Sequence, residues 1–183
     1  MSATAEAAMN TPIQPGDFIC TRTNTAAAWL IRLGALIRGH DANVNHVVLF
    51  HHIDNAGIAW GIDANPKGVG WRNDIHKLAN QPFSVDNRHQ PKTPEQRAGV
   101  CRSMERLLES TYGWATILGD ALETVGLPTP WDDQWQVGVP PHVVCANAID
   151  WSMENVGLPT PAADMSLQPG ELAAWARRRG WEG

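Results

Sequence analysis

Cysteine is scarce in this 183-residue chain: Cys20, Cys101 and Cys145 are all there is, an odd number with no short or regular spacing. That excludes a disulfide framework and a zinc knuckle, and it fits a reducing compartment. Long apolar runs are missing too. Nowhere do eighteen apolar residues follow one another, so no transmembrane segment is expected. The N-terminal MSATAEAAMNTPIQPG has neither a basic region nor an apolar one. No signal peptide is read there, and the expected location is the cytoplasm, or delivery as a component of a larger particle such as a phage. Positive charge is in deficit: 14 Lys and Arg against 19 Asp and Glu leave a net −5. A basic field for a nucleic-acid partner is thereby excluded. The one basic run, Arg177 to Arg179, reads as the last turn of a helix that complements its dipole.

What remains is an ordinary globular composition. Apolar residues make up 43% and charged residues 18%, well away from a disordered chain. The length suffices for one well-buried core and not for two full domains. A single domain over 15–183 is therefore expected, behind a flexible N-terminus at 1–14. Nine tryptophans are many for this length. They serve as core or as cleft wall, with Trp60, Trp71, Trp131 and Trp135 the candidates for the wall.

Pro15-Gly16 makes a turn, and DFICTR after it alternates as a short strand with Phe18 and Cys20 on one face. Asn24 or Thr25 caps the next element, a helix in which Trp29, Leu30, Leu33, Leu36 and Ile37 recur with helical period and which Gly39 closes. NHVVLFHHI, the turn Asp54 to Gly57, and IAWGIDAN read as a β-hairpin. VGWRNDI and PFSVDNRH add two strands across a short polar connection. The sheet then has about five strands, mostly antiparallel because the connections are short. The second half is helical: PEQRAGVCRSMERLLES, then YGWATILGDALETVG, then a loop rich in Pro, Trp and Asp. The expected fold class is α+β, with the sheet packed against helices.

The stretch Pro140 to Gly157, PPHVVCANAIDWSMENVG, organises the rest. Its two prolines enforce an extended entry. From Cys145 the period turns helical through Ile149, Met153 and Val156, and Gly157 with Pro159 ends it. A thiol in that first turn faces unpaired backbone N–H groups and the positive end of the helix, both of which favour an anionic sulfur. A cysteine nucleophile needs a base beside its sulfur and a third group to orient that base. His46 opens the most strand-like segment of the chain. With Ile53 and Ile58 flanking the hairpin turn, His46 falls opposite Asn65, and Asp63 becomes its diagonal neighbour on the same face. Asp63 is then the acid that accepts the far ring N–H, with Asn65 in reserve.

Two other assignments compete. Cys20 also lies between a strand and a helix, but the alternating pattern around it marks a buried core thiol, and Cys101 borders the apolar face of its own helix. His46, His51, His52 and Asp63 taken together as metal ligands fail on reach. His46 and His52 are about 20 Å apart along an extended strand, and His51 points to the opposite face.

These residues resemble the circularly permuted branch of the NlpC-type papain-like cysteine amidases and peptidases, with its YiiX/YaeF-like and lecithin-retinol-acyltransferase-like relatives. The likeness is carried by PGDFICTR as opening strand, NHVVLFHH as the His strand, IAWGIDANPKGVGW as the strand with the acid, VVCANAIDW as the Cys helix and TPAADMSLQPGEL as the closing segment. It spans about residues 15 to 172, and the order of the motifs is what makes it specific. The resemblance implies Cys145 as nucleophile, His46 as base and Asp63 as orienting acid. It implies no cofactor, no metal, and a peptide or acyl substrate, cell-wall peptide included. The family often has a tyrosine just before the cysteine and Ser-Glu just after it, where this chain has Val144 and Ala146-Asn147. Oxyanion stabilisation then falls to the Cys145 backbone N–H and Asn147. The alternative is a non-catalytic binding or structural protein that keeps the papain-like groove.

Overall fold

The computed structural model describes residues 12–37, 39, 41–108, 110–113, 142–161 and 167–182. Among them, β1 (Phe18–Thr21), β2 (His46–Ile53), β3 (Ala59–Asn65), β4 (Gly68–Arg72) and β5 (Val85–Asp86) form one sheet in the order β4-β3-β2-β1-β5. Every pair in it is antiparallel. The fold class is thus the α+β arrangement the sequence leads one to expect.

The β2–β3 hairpin is built by Asp54. Its Oδ1 accepts from the backbone N–H of Ala56 and of Ile58, at 2.9 Å each, while Gly57 adopts the left-handed conformation with φ 78°. The turn pairs one residue differently from the expectation: Ile53 faces Ala59, not Ile58. The offset does not reach the far end of the strands, because β2 carries a bulge at His51. Phe50 pairs with Gly61 and His52 with Trp60, so two residues of β2 are spent against one of β3. Beyond the bulge Val48 faces Asp63, which puts Asp63 on the side of the sheet that His46 shares with Val48.

Both faces of the sheet are covered, which explains why β2 reads as a nearly continuous apolar run. One face carries Phe18, Cys20, Val47, Leu49 and Ile62. Against these pack α3 (Pro94–Arg106), α4 (Cys145–Glu154) and α5 (Pro169–Arg178), through Val100, Met104, Ile149, Met153 and Leu172. The other face carries Ile19, Val48 and Phe50, closed by Ile75 and Leu78 of the short helix α2 (Ile75–Ala79). The sequence reading passes over α2 as a polar connection, since five residues with two apolar positions show no period. Gly61 sits where the sheet meets α2. A Cβ there would lie 2.5 Å from the Leu49 carbonyl oxygen and would strike the Ile75 side chain.

Helix caps follow the sequence. Thr25 Oγ1 accepts from the Ala28 N–H at 3.1 Å at the start of α1 (Ala26–Ile37), and Thr93 with Gln96 makes a capping box on α3. The packing of α1 does not follow it. Trp29 and Leu36 are 61% and 63% exposed, and Leu33 and Ile37 are exposed as well. The helix is instead buried along Ala28 and Ala35, while Leu30 and Ile31 pack at the margin of the core. Small side chains permit a closer approach than the bulky stripe does, and the stripe is left facing outward.

Arg177 and Arg178 close α5, and Arg177 donates to Asp41 Oδ2 at 2.5 Å. A two-stranded parallel ladder, β6 (Thr111–Tyr112) with β7 (His142–Val143), lies beside the start of α4. Tyr112 is therefore in a strand, where the period reads as the opening of a helix. The rest of that expected helix, the Trp-rich loop with Trp131 and Trp135, and residues 1–11 of the expected flexible N-terminus lie outside the described residues.

Candidate active site

Cys145 and His46 are each the first residue of their element, and their side chains are within hydrogen-bond reach of one another. Val144 ahead of the cysteine is extended and makes no side-chain cap on α4. The His46 Nε2 lies 2.6 Å from Asp63 Oδ2. Asp63 Oδ1 accepts from Asn65 Nδ2 at 3.0 Å. All three groups are inside the protein, with Cys145 2% exposed, His46 6% and Asp63 2%.

The electrostatics of this cluster are strongly coupled. Burial opposes a charge on His46, but hydrogen bonding to Asp63 and to Cys145, and the negative charge of both, outweigh it and lift the imidazole to about 9. Asp63 is the mirror case. Burial would raise its carboxyl, yet the hydrogen bond and charge of His46, the charge of Arg72 and the Asn65 amide hold it below the ordinary range. Burial pushes Cys20 well up and Cys101 up to about 11.

Arg72 and Asp74 belong to the same cluster and are not singled out by the sequence reading. Arg72 Nη1 donates to Asp63 Oδ2 at 2.6 Å, the oxygen that His46 also uses, and its Nε and Nη2 donate to the two oxygens of Asp74 at 2.6 and 2.8 Å. The available signal was the pairing of VGWRNDI with IAWGIDAN. Asp63 faces Gly70 and Gly61 faces Arg72, which sets Arg72 diagonal to Asp63 on one face. Tyr112 is a second addition. Burial, then the negative charge of Cys145 and of Asp63, raises its phenol, so it stays protonated beside them.

A cavity of about 240 Å³ opens on this cluster, lined by Thr23, Asn45, His46, Asn65, Arg72 and Tyr112 among others. Cys145 and Asn147 are not on its wall. Asn147 is buried in the first turn of α4. Trp60 is not at this end of the sheet: its indole N–H donates to Asp54 Oδ2 at 2.9 Å in the hairpin turn. Trp71 lies there too, its ring centroid 4.9 Å from that of His51. The bulge also changes the relation of the two adjacent histidines. His51 does not point away from His52; their Nδ1 atoms are 2.9 Å apart, and His51 Nε2 is 3.1 Å from Glu105 Oε1.

No family model matches the chain, and no curated protein matches it. Among solved structures it is similar to the metalloprotein YiiX from Escherichia coli O157:H7, at a TM-score of 0.53 and 15% identity over 80% of this chain and 67% of that one. Among the described residues no three His, Cys, Asp or Glu side chains gather to hold an ion. Asp63 already carries a guanidinium at 2.6 Å, which would repel a second cation. What the likeness supports is the fold alone, an α+β chain whose described residues form a five-stranded antiparallel sheet.

Proposed function

We propose that this chain is a cysteine hydrolase on a papain-like scaffold, cleaving an amide of the peptide or peptidoglycan type, or an acyl bond, through an acyl-enzyme. The observation that carries the reading is one imidazole shared between a carboxylate at 2.6 Å and a sulfur at the start of a helix. With Nε2 committed to Asp63, Nδ1 is the nitrogen left to exchange a proton with Cys145. The thiolate attacks the carbonyl carbon, and the C=O electron pair moves onto oxygen. The positive N-terminal end of α4, where Val144 makes no side-chain cap, favours that developing charge, and the protonated Tyr112 phenol stands near the same sulfur. Imidazolium then gives its proton to the leaving amine or alkoxide, and water, deprotonated by His46, hydrolyses the thioester. Asp63 keeps the ring in one tautomer and supports its positive charge throughout.

The test is trapping. Incubation with a p-nitrophenyl acyl ester should add the acyl mass to Cys145, and Cys145→Ala should abolish both the adduct and turnover by at least about 10³-fold. A second reading is favoured by one observation, that the cavity wall includes His46 and not Cys145. On that reading the groove binds without reacting. Full biological effect in Cys145→Ser, with no adduct in the parent chain, would establish it.

A further inference from the structure

Among the described residues, the ionisable groups around the His46 ring are Asp63 from β3, Arg72 from β4 with Asp74 behind it, Cys145 from α4, and Tyr112 from β6, which lines the same cavity. Of these only Arg72 is a permanent cation, and its position is over-determined. Asp74 grips it bidentately at 2.6 and 2.8 Å, which leaves Nη1 to reach Asp63 Oδ2 at 2.6 Å and to lie 3.5 Å from His46 Nε2. The two carboxylates and the guanidinium thus form a row, with the imidazole at its end.

We propose that Arg72, locked in place by Asp74, is a positioning residue that shares Asp63 Oδ2 with His46 and, by offsetting the carboxylate's charge, limits how firmly the imidazole holds its proton. The physical reason is competition for one oxygen. An unshared aspartate would give its whole charge to the imidazolium, and a histidine stabilised so far is a poor donor to a leaving group near neutral pH. A cation on the same oxygen weakens that support and repels the imidazolium directly. The same contact keeps Asp63 ionised and fixes which oxygen faces the ring. The inference rests on the thiol–imidazole reading for its meaning in catalysis, and on geometry alone for its effect on His46.

The experiment follows the His46 ring by NMR titration in the full chain, beside the pH profile of Cys145 alkylation by iodoacetamide. Arg72→Gln keeps a donor and removes the charge; Arg72→Lys keeps the charge and removes the fork. The His46 midpoint should rise by about one pH unit or more in Arg72→Gln and return most of the way in Arg72→Lys, with the alkylation profile moving alongside it. Should Arg72→Gln fail to fold, Arg72→Met replaces it with the same expected direction. A His46 midpoint that stays put in the charge-removing variant, while thermal stability falls, would overturn the proposal and reduce Arg72 to a fastener of β4. A midpoint that moves as expected while Cys145 is alkylated no faster than Cys101 supports the role of Arg72 and counts against the hydrolase reading, so the two failures are separable.

Discussion

Three cysteines in one chain offer an internal comparison at the scale of single residues. Cys20 is fully buried and Cys101 is pushed up to about 11, so neither presents thiolate near pH 7. On the proposed reading, in which His46 takes the Cys145 proton, iodoacetamide at neutral pH should label Cys145 first, read by peptide mass spectrometry, and equal rates at Cys145 and Cys101 would count heavily against a nucleophile. Asp63→Asn should lower the His46 midpoint, since the anion that supports the imidazolium is gone. It should also reduce kcat/KM on an acyl ester by about 10²- to 10⁴-fold, because the amide no longer enforces the tautomer. The identities of Cys145, His46 and Asp63 were readable as candidates from residue type and spacing. Arg72 and Asp74 were not, because an arginine with one acid two residues on looks like an ordinary solvated surface pair until β4 is paired with β3 and Asp63 arrives beside it.

Among the elements, the β2–β3 hairpin decides whether His46 and Asp63 share a face. The sequence reading reached the right parity with Ile58 placed at the wrong position in the turn, and the bulge at His51 is what removes the discrepancy. A bulge leaves little trace in a sequence, since one additional residue in an apolar strand does not change its composition. Gly61, on the other side of that irregularity, is held to glycine by contact. Gly61→Ala should destabilise the fold by about 1–3 kcal/mol in urea titration, because a methyl group there meets the Leu49 carbonyl and the Ile75 side chain and neither is free to withdraw. The helix α1 shows the opposite lesson. Its strong apolar period suggested a buried face, and the burial fell to Ala28 and Ala35 instead.

For the whole molecule, the buried ionisable groups set how stability varies with pH. His46 has a folded value raised to about 9, so its contribution is complete below the ordinary histidine value of 6.5 and is lost as pH climbs through 9. Asp63 runs the other way: its folded value lies below 3.8, so its contribution holds above that and disappears as acid protonates it. Asp150 on α4 is 8% exposed, and burial together with the charge of Glu154 raises it to about 7. A carboxyl raised on folding costs nothing below 3.8, where both states hold the proton, and destabilises the native state increasingly as pH rises from 3.8 through 7. Asp150→Asn should accordingly melt higher than the parent at pH 8 and close to it at pH 3.5, measured by differential scanning fluorimetry. No difference at either pH would mean that the carboxylate finds compensation in the fold.

The sequence by itself determined the class of fold and a sheet of about five mostly antiparallel strands, and it offered Cys145, His46 and Asp63 as candidates. Apolar period, turn residues and a helix start are all local properties, written within a dozen residues. Only the tertiary structure decided that Trp60 stands at the far end of the sheet, that α1 turns its bulky side outward, and that Arg72 shares the oxygen His46 depends on. Each of these is a matter of which distant atoms arrive at the same place, and that follows from strand register and helix approach, which no short window of residues contains.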